Sequence, residues 1–190
     1  MGVRIPASHS NGVLRLSVDR TRTPIGELMV VADGLGRLRA VHWSDHEDGL
    51  ARMLARQYGE KGFALEPARD PAGLTARIDA YFAGDLAAID ALPVEMVGTP
   101  FQREVWMALR GIPVGSTVSY SELALRIGRP AAVRAVGLAN GANPVGVVVP
   151  CHRVVGKGGA LVGYGGGMAR KRWLLAHESA ASQAWPIALR

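Results

Sequence analysis

The sequence contains one cysteine in 190 residues, which excludes an intramolecular disulfide and gives no sign of an oxidising compartment. No apolar run comes near the roughly 18 residues needed to span a bilayer. The start, Met1 to Ser10, lacks the apolar stretch of a secretory signal, and Pro6 stands where the myristoylation pattern requires Ser or Thr. These absences lead us to expect a cytoplasmic chain. The glycine-rich stretch 156–167 lacks the lysine-ending pattern of a phosphate loop. One cysteine also makes a structural zinc implausible, so no metal is expected.

Acidic residues are scarce in one half only. Residues 99–190 hold 11 Lys/Arg but just three carboxylates, Glu104, Glu122 and Glu178, whereas residues 1–98 hold 11 Lys/Arg and 13 Asp/Glu. A basic half joined to a weakly acidic one suggests that the second half meets a polyanion. A soluble, arginine-rich surface would give the same count, and charge alone leaves both readings open.

What is present divides near Gly98. The first dozen residues read as a loose tail. Three apolar runs follow, Val13–Val18, Glu27–Ala32 and Leu38–Trp43, separated by the turn formers Thr23-Pro24 and Asp33-Gly34. They predict a small meandering antiparallel sheet. Helical spacing follows in Gly49–Tyr58 and Leu74–Phe82, and Asp85–Pro93 reads as a connector. This first half shows no cluster of metal ligands or catalytic side chains.

Beyond Gly98, Thr99-Pro100-Phe101-Gln102 and Ser119-Tyr120-Ser121-Glu122 each have the form of a capping box. The first predicts a helix with Phe101, Val105, Trp106 and Leu109 inward, ending near Gly111. The second predicts one with Tyr120, Leu123, Ala124 and Ile127 inward, stopped by Gly128. Pro130 opens another helix, Pro130–Asn140, after a tight turn. Such a pair is a helix-turn-helix, or else a helical hairpin packed for stability. The second helix of the pair is smooth, with Ala131, Ala132, Ala135, Gly137 and Ala139, and its one charge is Arg134. It lacks the several long polar side chains that read major-groove base edges, so any DNA binding is expected to ignore sequence. The fold class is α+β: a small antiparallel-sheet unit over 1–98, then a mainly helical one over 99–190.

Val145–Val149 is predicted to be a short apolar strand, leading into Pro150-Cys151-His152-Arg153-Val154. A lone cysteine is often a small core residue. Here Pro150 fixes the backbone before it, and His152 and Arg153 put cationic or proton-accepting groups next to it in sequence, which favours a thiolate nucleophile.

Pro150–Val154 resembles the active-site motif of the O6-alkylguanine-DNA alkyltransferases. Arg134-Ala135-Val136-Gly137 is similar to that family's recognition helix with its arginine finger, and Asn143-Pro144 to its hinge. Tyr164–Gly167 resembles its substrate loop, and Lys171–Leu175 with Glu178 its closing helix. Residues 99–178 match in order and spacing, while residues 1–98 match only in general arrangement.

The resemblance implies that Cys151 accepts an alkyl group from a flipped O6-alkylguanine, and less well from O4-alkylthymine, in a single irreversible turnover. It implies His152 as base through a water, Glu178 as its orienter, Tyr120 as the contact to guanine N3 and Asn143 as the hinge. DNA would meet Arg134, Ala135, Gly137, Tyr120 and Ser121, and the pocket would be lined by Val154, Tyr164, Gly165 and Lys171. It further implies a ribonuclease-H-like arrangement of structural role for 1–98, an alkyl-acceptor domain for 99–190, no cofactor, no membrane and a monomer, with cooperativity on double-stranded DNA left open. Two other classes remain: a damage-binding module that accepts no alkyl group, and a Cys-His hydrolase with ordinary turnover.

Overall fold

A computed structural model of the chain describes residues 12–183; the expected N-terminal tail lies largely outside them. The three expected strands form as β1 (Leu14–Thr23), β2 (Gly26–Asp33) and β3 (Leu38–Trp43), paired antiparallel in sequence order. Helix α1 (Glu47–Tyr58) then returns the chain to a fourth strand, β4 (Phe63–Pro67), which lies parallel to β1 and gives the order β3-β2-β1-β4. The expected antiparallel meander is present, and β4 is a parallel addition that the sequence did not reveal. A five-residue strand ending in proline carries almost no alternation to read, and proline is tolerated there because β4 is an edge strand.

The sheet sorts its side chains by the two-residue period of a strand. Leu28, Val30 and Ala32 of β2 enter the larger core, while Met29 and Val31 point to the opposite face, against Leu50 and Leu54 of α1. The larger core runs through both halves of the chain. It joins β2 and β3 to α2 (Leu74–Phe82), to α3 (Pro100–Arg110) and to Leu174 of the last helix, α6 (Met168–Gln183).

Both predicted capping boxes form. Thr99 Oγ1 accepts from Gln102 N at 3.2 Å and the Gln102 side chain accepts from Thr99 N at 2.9 Å; Ser119 and Glu122 do the same at the start of α4 (Tyr120–Arg126). Each such cap is worth about 1 kcal/mol. Gly128, at φ 69°, turns the chain after α4 in the left-handed conformation that only glycine adopts without strain. The next helix is shorter than expected. Pro130–Ala132 form a 3-10 turn, and the α-helical part, α5, runs Val133–Gly141. The buried Trp106 of α3 fixes α5 by donating its indole N–H to Ala139 O at 2.8 Å.

The segment after α5 departs from expectation. Val145–Val149 is a coil of tight turns, with Val149 N donating to Val145 O at 2.9 Å and Cys151 N to Val149 O at 2.8 Å. Val147 sits at φ 68°, a strained conformation for a β-branched residue. Only Val145 pairs, bridging Val41 of β3 in parallel, with Val41 N donating to Pro144 O and Gly146 N to Val41 O, both at 3.0 Å. A run of apolar residues looks like a strand and also like a buried coil; all five here are buried or half-buried without forming a ladder.

Candidate active site

Cys151 opens a one-turn 3-10 helix, Cys151–Arg153, which feeds the two-residue strand β6 (Val154–Val155), parallel to β5 (Val118–Ser119). The residue is buried, 8% exposed. It lies at a small cavity of about 90 Å³ lined by Val41, His42, Trp43, Asn143, Tyr164 and Gly165, among others. Asn143 shapes the approach. Its Nδ2 donates to Val149 O at 2.7 Å and its Oδ1 accepts from Val145 N at 3.0 Å, pinning the coil before the cysteine. Burial pushes the Cys151 thiol up, and the Asn143 amide and Lys171 ammonium oppose that shift without cancelling it.

The sequence neighbours of Cys151, expected to put cationic or proton-accepting groups beside it, both bond a more distant residue. Both are buried and converge on Glu178 of α6. Glu178 Oε1 accepts from Tyr81 Oη at 2.8 Å, from His152 Nε2 at 2.9 Å and from Arg153 Nη2 at 2.8 Å, while Oε2 accepts from Arg153 Nε at 2.9 Å. Arg153 Nη1 also donates to Ile112 O at 2.6 Å. Burial alone would raise the Glu178 carboxyl, but the bonds from His152 and Arg153 outweigh it and hold the carboxyl well below the usual range.

That ionised carboxylate fixes the histidine tautomer. Burial lowers the His152 imidazole, so the ring is neutral, and Nε2 must carry the proton that Glu178 accepts. Nδ1 is then a free lone pair, and it has no hydrogen-bond partner among the described residues. A neutral imidazole with one nitrogen locked as donor and the other left as acceptor is suited to take a proton.

Other predicted residues assemble around the thiol. Tyr120, half-buried at the start of α4, has Cys151 and Asn140 as neighbours; burial and the nearby sulfur raise its hydroxyl, so it stays a donor at neutral pH. Burial likewise raises Tyr164, which stands edge-on to His152 at 6.5 Å. Lys171 is fully buried and its Nζ donates to Val154 O at 2.6 Å and Val162 O at 2.7 Å, tying the 156–167 loop to the cysteine segment. Gly165 is open, whereas a Cβ on Gly166 would lie 2.3 Å from the Trp43 indole nitrogen.

The helical face is sorted more finely than expected. Arg134 and Ala135 are exposed on α5, and Ser121 on α4, but Gly137 turns inward toward the Tyr120 ring. Leu138, not singled out in the sequence, is 73% exposed one turn beyond Arg134. All three carboxylates of the second half are engaged internally: Glu104 with Arg129 at 3.1 Å, Glu122 in its cap and Glu178 in the buried cluster. Arg134 is left without a partner among the described residues.

Sequence reasoning missed the share taken by the first half. Tyr81 reaches Glu178, and Val41, His42 and Trp43 of β3 form one wall of the cavity. Arg170 of α6 stacks over Trp43 at 4.3 Å while bonding Asp45, Ile25 O and Gly166 O. Only Trp43-Ser44-Asp45 at a strand end hinted at this, and nothing in that pattern names its partner.

Residues 100–180 match the family model described as the 6-O-methylguanine DNA methyltransferase, DNA binding domain. The methylated-DNA–protein-cysteine methyltransferase of Salmonella typhimurium is 51% identical over 166 residues, which are 87% of this chain and 97% of that one. The chain belongs to that family. The Mycobacterium tuberculosis member is 48% identical over 136 residues, 70% of this chain and 81% of its own. The crystal structure of the O6-methylguanine methyltransferase of that organism covers 89% of this chain and 96% of its own with a TM-score of 0.69 at 36% identity. A further structure, of the Mycobacterium tuberculosis protein in complex with DNA, aligns with a TM-score of 0.70 at 38% identity, over 88% of this chain and 94% of that one. The α+β architecture is thus that of the family, and among the described residues no helix is long and apolar enough to cross a membrane.

Proposed function

We propose that this methyltransferase repairs O6-alkylguanine in double-stranded DNA by moving the alkyl group irreversibly to Cys151 Sγ. The observation that carries the proposal is the single thiol lining a cavity, next in sequence to a buried histidine whose Nδ1 has no partner among the described residues and whose Nε2 is held by Glu178. The basic second half meets the phosphates. Arg134, with Ala135 beside it, fills the gap left when the damaged guanine turns out of the stack. Tyr120 and Ser121 lie at the edge of the same surface, and Gly137 lets α5 sit close on Tyr120.

In the cavity the base is bounded by Val154, Tyr164 and Gly165, with Lys171 holding the loop against the cysteine segment. His152 takes the thiol proton through a bridging water, which overcomes the raised affinity of Cys151 for its proton at the moment of attack. The new sulfur–carbon bond forms as the carbon–O6 bond breaks, and the electron pair passes to the purine. Tyr120 donates to N3 as that charge develops. The resulting thioether has no route to hydrolysis, so each chain acts once. The same reading takes the protein as a cytoplasmic monomer that needs no cofactor, with residues 99–190 as the acceptor domain.

Duplex DNA carrying radiolabelled O6-methylguanine tests this directly. The label should appear on protein at no more than one methyl group per chain, and Cys151→Ala should abolish the transfer while still binding DNA. Label released as a small product would indicate a hydrolase, and tight binding without transfer a damage-recognition module.

A further inference from the structure

A second groove adjoins the reactive cavity. It has a volume of about 560 Å³ and lies between α1 of the first half and the end of α5, lined by His42, Arg52, Met53, Arg56, Gly141 and Asn143, among others. It shares His42, Gly141 and Asn143 with the Cys151 cavity, so the two open onto neighbouring surface.

Arg52 and Arg56 stand four residues apart on α1, and both line this groove. Both are exposed, and neither makes an ion pair or hydrogen bond among the described residues. Among the described residues, most other arginines of the first half have such partners: Arg15 with Glu66, Arg20 with Glu27 and Glu47, Arg37 and Arg39 with Asp33, and Arg77 with Ala88 O. The acidic residues at the start of α1 do not line the groove, and Glu47 is taken by Arg20. Two unpaired guanidiniums therefore face a groove on the half of the chain whose overall charge is negative.

We propose that Arg52 and Arg56 form an auxiliary phosphate-binding groove, through which the first half grips the DNA backbone beside the extruded nucleotide. The inference rests on the DNA-repair reading for its occupant. Charge complementarity selects a phosphodiester chain, and continuity with the cavity mouth places those phosphates beside the flipped base. Guanidinium groups suit phosphate oxygens because their planar forks donate two parallel hydrogen bonds. Gly141 and Ala142 add no side chain beyond a methyl, which leaves the wall on the α5 side low enough for a backbone to approach.

The test compares wild type, Arg52→Ala/Arg56→Ala, Arg52→Lys/Arg56→Lys and the control Arg15→Ala, a surface arginine that does not line the groove. Affinity for an undamaged fluorescent duplex is measured across a salt series, and methyl transfer is measured from duplex DNA and from free O6-methylguanine base. Each phosphate contact contributes about 0.9 to the slope of log affinity against log salt. The double alanine variant should therefore lose roughly 1.8 from that slope. The lysine pair and Arg15→Ala should keep it, and reaction with the free base should not change. An unchanged slope in the double alanine variant, or an equal loss in Arg15→Ala, overturns the groove. Failure of the wild type to transfer any methyl group would overturn the repair reading instead, and the salt slopes would still decide the groove.

Discussion

Replacing Glu178 by Gln should destabilise the protein far more than any surface change and should also disable alkyl transfer. The carboxylate takes four donors from three side chains, and three of them meet on Oε1. A glutamine placed with its carbonyl at Oε1 turns its NH₂ toward Arg153 Nε, donor against donor. Flipped, it faces Tyr81, His152 and Arg153 Nη2 at once. Either way the buried guanidinium of Arg153 loses its countercharge, and breaking a buried pair from one side costs about 3–5 kcal/mol. For a domain of this size each kcal/mol moves the melting temperature by about 2–4 °C, so calorimetry should find a fall of roughly 6–20 °C. Tyr81→Phe removes one neutral hydroxyl donor and should cost only about 1 kcal/mol, with transfer largely kept.

The pH dependence has a definite sign. A carboxyl held below its unfolded value stabilises the fold above that value and loses the contribution as pH falls, so the gap between wild type and the glutamine variant should narrow below about pH 4.3. A Glu178→Gln protein melting within about 2 °C of wild type, well under the fall that breaking one buried pair brings, would refute the view of this cluster as a buried anchor.

Two further outcomes follow from the same geometry. Arg134→Ala should slow repair of duplex DNA far more than reaction with free O6-methylguanine base, because an extruded nucleotide leaves a gap only in a duplex; equal losses in transfer rate would assign the arginine a structural role. Methylated protein should melt below the free form and be cut faster near Asn143, since a thioether at an 8%-exposed site overpacks a region already pinned by that side chain, at about 1–3 kcal/mol; matching melting curves before and after reaction would remove the strain.

The second half was legible in the sequence because its signals are local. A capping box needs only Thr99 and Gln102, or Ser119 and Glu122, within four residues, and both form as read. The tight turn at Gly128 and the Cys151 motif are equally short-range. What could not be read depends on distant pairings. Apolar periodicity marks Val145–Val149 as buried but not whether it pairs along its length, and the answer lies with Val41, more than a hundred residues earlier. Tyr81 reads as a core aromatic in α2, and its hydroxyl acquires a role only once α6 brings Glu178 within 2.8 Å. The thiolate expectation failed for a related reason. His152 and Arg153 adjoin Cys151 in sequence, but the neutral imidazole and the guanidinium both bond Glu178, and burial governs the sulfur.

The outer edge of β3 shows what loosening the Pro144–Gly146 coil would expose. An open strand edge is a template for pairing with another chain, and folded proteins cover or interrupt it. Here the covering comes from two irregular segments. Pro93–Glu95 bonds Leu38, and Pro144–Gly146 bonds Val41. The second of these is the coil that carries the chain from α5 to Cys151. If uptake of an alkyl group strains that coil as predicted above, drawing it off Val41 would bare polar backbone groups on a strand that is otherwise almost wholly buried. Spent molecules would then be distinguished by their readiness to aggregate, and a cell that disposes of them quickly would be protecting itself from a sticky strand as well as clearing a used reagent.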